Sequence, residues 1–95
     1  MHLIEILEYG MTTFGYIQAR KYFNTIKQIV ERLNIDYLYH PECRHLATKS
    51  RKYRNIILDS HLIIYRITEL NIEVLDIIHS ASSINKIRST RKIQI

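Results

Sequence analysis

Tryptophan is absent from the 95-residue chain, glycine occurs twice, and proline and cysteine once each. The lone cysteine, Cys43, excludes an intramolecular disulfide and fits a reducing compartment. It reads as a small unreactive side chain; a catalytic thiol would need a base beside it, and His40 and His45 are the near ones. So little glycine and proline leaves scant room for flexible linkers, and the expectation is a single domain over residues 1–95. No run reaches the length of a membrane span. The opening "MHLIEILEYG" has neither a basic n-region nor a small-residue cleavage site, so a cytoplasmic protein is expected. A P-loop, a dinucleotide fingerprint and zinc-finger spacing are all missing, and no cofactor or metal is expected.

What is present is apolar and basic. Hydrophobic residues make up 46%, enough for a small core. The net charge of +5 favours an anionic partner such as nucleic acid, the ribosome or an acidic protein segment. Basic charge is densest from Arg44 to Arg54, through Lys49, Arg51 and Lys52. That segment is either a solvated loop or a partner-facing surface.

Hydrophobic periodicity divides the chain. Leu3, Ile4 and Leu7 form one helical stripe that ends at Tyr9-Gly10. Thr12 or Thr13 is placed to cap a longer helix. In it Phe14, Ile17, Tyr22, Phe23, Ile26, Ile29, Val30 and Leu33 make an apolar face, and Asn34 is the exit. Together these predict a helical hairpin over about 3–34, followed by a basic irregular loop at 35–52 broken by Pro41. A sheet is expected over about 53–79, with strands Tyr53–Leu58, His61–Ile67 and Ile72–Ile78 joined by turns at Asp59-Ser60 and Glu69–Asn71. The tail at 80–95 reads as a turn over Ser80–Ser83, a short helix around Ile84, Ile87 and Arg88, and a basic end "RKIQI", frayed or strand-pairing. The fold class is α+β: a helical hairpin packed on an antiparallel meander of three or more strands.

Register follows from side-chain pairing. Setting Ile67 against Ile72 puts Arg66 opposite Glu73 and Tyr65 opposite Val74. Continued without interruption, it pairs Ile64 with Leu75, Leu62 with Ile77 and His61 with Ile78. One face would then carry Leu62, Ile64, Leu75 and Ile77 and pack on the helices. The other would carry Ile63, Tyr65, Ile67, Ile72, Val74 and Asp76. Both faces are apolar, so a second covering layer or a partner is implied. The same register sends His61 and His79 to opposite faces, which argues against a shared metal.

Acid–base cleavage of a phosphodiester needs cations around the phosphate and a positioned proton donor. Arg51, Lys52 and Arg54 could supply the first, and His79, His61, Tyr53 or Tyr65 the second. Tyr65 also reads as a strand packing residue, and His79 as a structural strand-end histidine.

The motifs "YGMTTFGYIQARKYFNTI", "HPECRHL", "KYRNI" and "HLIIYRI....IEVLDIIH", in this order and spacing, resemble the ParE/RelE toxins of type II toxin–antitoxin systems. The matching residues are Tyr9, Phe14-Gly15, Gln18-Ala19, Tyr22, Tyr53-Arg54, His61 and His79. RelE-like members carry an arginine where this chain has Leu62, and an arginine with a later tyrosine after the last strand, where this chain has "SASS" and no tyrosine beyond Tyr65. These departures, with His61 and Gln18-Ala19, favour the ParE-like branch. The resemblance then implies a growth-inhibiting, plasmid-stabilising toxin, without catalytic residues, that poisons DNA gyrase and is silenced by a cognate antitoxin. The alternatives are a ribosome-dependent mRNA endoribonuclease using Arg51, Lys52, Arg54 and His79, or an inactive interaction-only relative. The partner surface expected from the charge pattern comprises Arg44, Lys49, Arg51, Lys52, Arg54, Lys86, Arg88 and Arg91. Family members open with a strand and a few residues of helix ahead of "LIEILEYG", so the expectation is a truncated start, a degraded or altered member, or compensation by the tail "RKIQI". The open sheet edge this leaves would favour homodimerisation, an antitoxin segment or strand exchange.

Overall fold

The computed structural model describes residues 15–94. The first expected helix, with Leu3, Ile4 and Leu7, and the Thr12/Thr13 cap lie outside them. Helix α1 spans Tyr16–Glu31 and a short helix, α2, spans Leu33–Asp36. The N-cap of α1 is Gly15, not a threonine, and no side chain caps it. Its φ of 86° falls in the left-handed region, where a Cβ is strained even though nothing lies within 4 Å of the position it would take. Arg32 breaks the two helices apart, its N–H shared between the Gln28 and Ile29 carbonyls at 3.2 Å each. Ala19, Ile26 and Leu33 are buried and Tyr22, Phe23, Ile29 and Val30 half-buried, at the three- and four-residue spacings that keep one helical face inward.

The strands are β1 (Tyr53–Ile57), β2 (His61–Ile67) and β3 (Ile72–His79), in an antiparallel sheet of order β1-β2-β3. The architecture is α+β as expected, with helix followed by meander. Outside β1 the chain at 41–43 adds a partial fourth rung: Cys43 N–H donates to Tyr53 O (2.9 Å) and Asn55 N–H to Pro41 O (3.1 Å).

The register holds through its first three pairs, Ile67 with Ile72, Arg66 with Glu73 and Tyr65 with Val74, and then shifts. Leu75 has no partner. Beyond it Ile64 faces Asp76, Ile63 faces Ile77, Leu62 faces Ile78 and His61 faces His79. A bulge adds one residue to one strand, so the alternation of faces restarts one residue late. Leu75 therefore points away from Ile77, although they stand at positions i and i+2, which share a face in an unbroken strand. The expected pairs Ile64–Leu75, Leu62–Ile77 and His61–Ile78 do not form.

The bulge also changes which side chains meet the helices. Ile56, Ile63, Tyr65 and Ile77 pack with Ile26 and Leu33, with Ile67, Ile72 and Val74 around them. Leu62, Ile64, Leu75 and Ile78 face the other way, the reverse of the expected assignment except for Ile77. They pack with Cys43, Leu46, Tyr53, Ile87 and Ile93. Both apolar faces are thus covered by the chain itself. The second cover is a 3-10 turn at Arg44–Leu46 and a C-terminal layer made of helix α3 (Ile84–Ser89) and a 3-10 turn at Thr90–Lys92. Ser83 caps α3, its hydroxyl accepting from Lys86 N–H at 3.2 Å. Among the described residues the tail, through Gln94, forms no strand. Ile93 packs into the second cluster, and Thr90, 2% exposed, donates to Ile87 O at 2.6 Å.

Candidate functional site

At the end of the sheet where β1 begins and β2 turns into β3, an open cleft of about 790 Å³ is lined by Leu38, Arg51, Lys52, Arg54, Arg66 and Glu73, with Ser50, Ile67, Thr68 and Glu69. Local structure fixes each cation. The turn before β1 is tied down by Thr48: its carbonyl accepts from Arg51 N–H (3.2 Å) and its hydroxyl from Lys52 N–H (3.4 Å), while Glu42 accepts Thr48 N–H (3.3 Å). Arg51 closes this turn with φ at 53°, a left-handed conformation that a non-glycine residue holds at a cost of about 1 kcal/mol. Lys52 Nζ lies 5.5 Å from the Tyr53 ring centre, within cation–π range.

Arg54 reaches under the loop that follows α2. Its Nη1 donates to His40 O at 2.9 Å and Leu38 O at 3.2 Å. Its buried Nε has no hydrogen-bond acceptor among the described residues. Beside it Tyr65 donates to Tyr37 O at 2.6 Å. Burial pushes the Tyr65 hydroxyl up to about 12, against the opposing pull of the Arg54 charge. Arg66 sits on the far wall. It pairs with Glu73 at 2.6 Å, leans over Tyr53 at 5.9 Å, and Nη2 donates to Ile93 O at 3.3 Å. The Tyr53 hydroxyl and the Glu73 carboxylate raise its affinity for the proton further.

The opposite end of the sheet holds the histidines. Strand pairing puts His61 directly across from His79, with ring centres 5.5 Å apart and planes at 69°. Ser80 N–H donates to Ser60 O (2.9 Å) and His61 O accepts from Leu58 N–H (2.9 Å). The His61–His79 pair is therefore a non-hydrogen-bonded one, where opposed side chains stand closest. The expectation of opposite faces is corrected: the bulge at Leu75 brings both rings onto the helix side. Tyr22 of α1 completes the group, its hydroxyl 2.8 Å from His61 Nδ1. Burial lowers the His61 pKa, and the neighbouring His79 lowers it further. Burial raises that of Tyr22. His79 Nδ1 accepts from Ala81 N–H at 3.1 Å, which places the proton of the neutral ring on Nε2. Among the described residues no three His, Cys, Asp or Glu side chains gather closely enough to hold a metal ion.

The structure thus sorts the sequence-derived site residues into three places. Arg51, Lys52 and Arg54 share the cleft. Arg44, Lys86, Arg88 and Arg91 are exposed on the layer covering the second face, where α3 packs against the turn at Arg44–Leu46. Lys49 is exposed on the loop between them. His79 joins neither cationic group. Five residue steps along β2 lead from the rung of Arg66 to that of His61, roughly 17 Å at strand rise. Sequence reasoning missed Arg66, Leu38 and the loop anchors Glu42 and Thr48. The opposite-charge pair Arg66–Glu73 was the available signal for the first.

The chain is a small α+β domain with a cationic cleft at one end of its sheet. The chain belongs to the family described as the ParE toxin of the type II toxin–antitoxin system parDE, whose sequence model matches residues 2–84. It is therefore a type II toxin–antitoxin toxin, of a family whose members pair with an antitoxin. No curated protein matches it. Among the described residues no helix is long and apolar enough to cross a membrane.

Proposed function

We propose that this toxin acts without catalysis, by binding and inhibiting DNA gyrase, and that a cognate antitoxin neutralises it. The observation that carries the reading is the separation of the paired histidines His61 and His79 from the cations. Cleavage of a phosphodiester requires a proton donor and cations at one phosphate. Here His61 and His79 stand at one end of the sheet, and Arg51, Lys52 and Arg54 at the other. Tyr65, paired with Arg54 across β1 and β2, is fully buried and holds its proton to about 12. Tyr53, on the same rung as Arg66, is buried beneath the cation of Lys52. Family membership supports a toxin, and the exposed cations on the cleft and on the C-terminal layer suit acidic partner surfaces.

Supercoiling by purified gyrase, titrated with this protein, tests the reading. Inhibition or trapped cleaved DNA, relieved by a cognate antitoxin, is the expected result. Ribosome-dependent mRNA cleavage that Arg54→Ala abolishes would overturn it in favour of an endoribonuclease. Induction without effect on growth would leave an interaction-only relative.

A further inference from the structure

Two stretches of the chain, 43–58 and 77–94, hold cations and no aspartate or glutamate. The fold lays them side by side on the second face of the sheet. Helix α3 packs against the 3-10 turn at Arg44–Leu46, and Ile87 shares a buried cluster with Cys43 and Leu46. The turn after α3, Thr90–Lys92, packs on β3. Arg66 anchors it, donating from Nη1 to Arg91 O at 3.5 Å and from Nη2 to Ile93 O at 3.3 Å. Arg44, Lys86, Arg88, Arg91 and Lys92 are all exposed on this layer. Of the carboxylates that bound the two stretches, Glu42 accepts from Thr48 N–H at 3.3 Å and Asp76 from Ile77 N–H at 2.8 Å, both half-buried. Asp59 lies in the turn that joins β1 to β2.

The phase of α3 is set by Ile87, which is 5% exposed and faces the sheet. At about 100° per residue, Lys86 and Arg88 flank it, and Asn85 and Ser89 stand on the far side. All four are exposed. Ile84, three residues before Ile87, falls on the inward side. The outer surface of α3 is therefore polar between cations. Neither α3 nor the turn after it holds an aromatic residue.

We propose that this C-terminal layer, with Arg44 beside it, binds the phosphate backbone of a nucleic-acid duplex without reading its sequence. A phosphate backbone carries charge at every step, and the layer offers cations with no carboxylate between them. Protein hot spots are built on buried aromatic and apolar anchors, and a membrane surface takes an apolar helix face. The outward residues of α3 supply neither. Single strands are held by bases stacked on aromatic rings, which α3 and its turn lack, so a duplex is the form that fits. Ile87, Thr90 and the Arg66 bonds already order the backbone beneath the cations, so binding has only side chains left to order.

A short fluorescein-labelled DNA duplex, titrated by anisotropy with the full chain, tests this. Affinity should fall with salt, log K against log salt sloping about −3 or steeper between about 50 and 200 mM, and two unrelated sequences should bind within about twofold. Lys86→Glu/Arg88→Glu, at exposed positions and with its fold checked by circular dichroism, should weaken binding about tenfold or more. Lys21→Glu/Lys27→Glu, the same charge change at exposed positions of α1, should alter it less than about threefold. An RNA duplex of the same sequence, run in parallel, shows which nucleic acid supplies the phosphates. No binding at low salt, equal losses in the two double variants, or tighter binding of the single strand would each overturn the proposal. So would a loss in Arg51→Glu/Lys52→Glu with none in Lys86→Glu/Arg88→Glu, or stronger binding to vesicles of anionic phospholipid. Duplex binding of this kind does not require gyrase. A silent supercoiling assay and a failed duplex titration are therefore separate results.

Discussion

His61 and His79, eighteen residues apart in the chain, face each other across one rung of the sheet with ring centres 5.5 Å apart. Only the unpaired Leu75 makes this possible. The pairing can be read chemically. In a Cys43→Ala background, His61→Cys/His79→Cys should form a disulfide on mild oxidation, since opposed residues of a non-hydrogen-bonded pair fall within bridging range. His61→Cys/Ile78→Cys should not, because those side chains point to opposite faces. Mass spectrometry before and after reduction decides, and the reverse result would restore the uninterrupted register.

The buried member of the pair should make stability depend on pH. His61 titrates lower folded than unfolded, because burial and then His79 disfavour its charged form. Burial lowers His40 as well, against Asp36. The unfolded chain then binds more protons in the acid window. Their stabilising contribution is fully present above the ordinary histidine pKa of about 6.5 and is lost as pH falls through the lower folded values. Urea midpoints measured between neutral pH and mild acid should drop, and His61→Asn should flatten the slope. Tyr22→Phe leaves His61 Nδ1 without its partner and should cost about 1–2 kcal/mol at neutral pH.

Arg66 ties the C-terminal layer to the sheet. Its pair with Glu73 is only 16% exposed on each side, and its guanidinium also reaches Ile93 O. Arg66→Ala leaves Glu73 half-buried and unpaired, and should destabilise by about 2 kcal/mol. It should also speed proteolytic clipping near Arg91 and Lys92 at low protease. Unchanged clipping would mean that Ile87 and Ile93 alone hold the layer.

Two groups should be silent in the native protein. Cys43 is 3% exposed, and burial raises its thiol pKa. It should react with a thiol reagent only on unfolding. Tyr65 should ionise near 12 in a spectrophotometric titration. Its folded pKa is raised, so its contribution to stability is present below the ordinary tyrosine value of about 10 and is lost as pH climbs toward 12. Tyr65→Phe removes the bond to Tyr37 O and should cost about 1 kcal/mol.

Much of this protein was legible in one dimension, because the deciding interactions there are local or periodic. The three- and four-residue spacing from Tyr22 to Leu33 specified the helix. The apolar alternation and the turns at Asp59-Ser60 and Glu69–Asn71 specified the meander, and Ile67–Ile72, Arg66–Glu73 and Tyr65–Val74 are the pairs nearest the turn that sets them. The crowding of cations before β1 was visible as composition. Tertiary structure decided the rest. A bulge shifts every pair beyond it and reassigns faces, yet Leu75 itself does not announce it, being as apolar as Val74 before it. It moved Leu75 to the C-terminal layer, kept Ile77 on α1, and turned two histidines expected on opposite faces into a contact. Arg66 joined Arg51, Lys52 and Arg54 only because the end of β2 lies beside the start of β1. Which cations form a cleft, and which histidines meet, depends on distances through space that the order of residues does not contain.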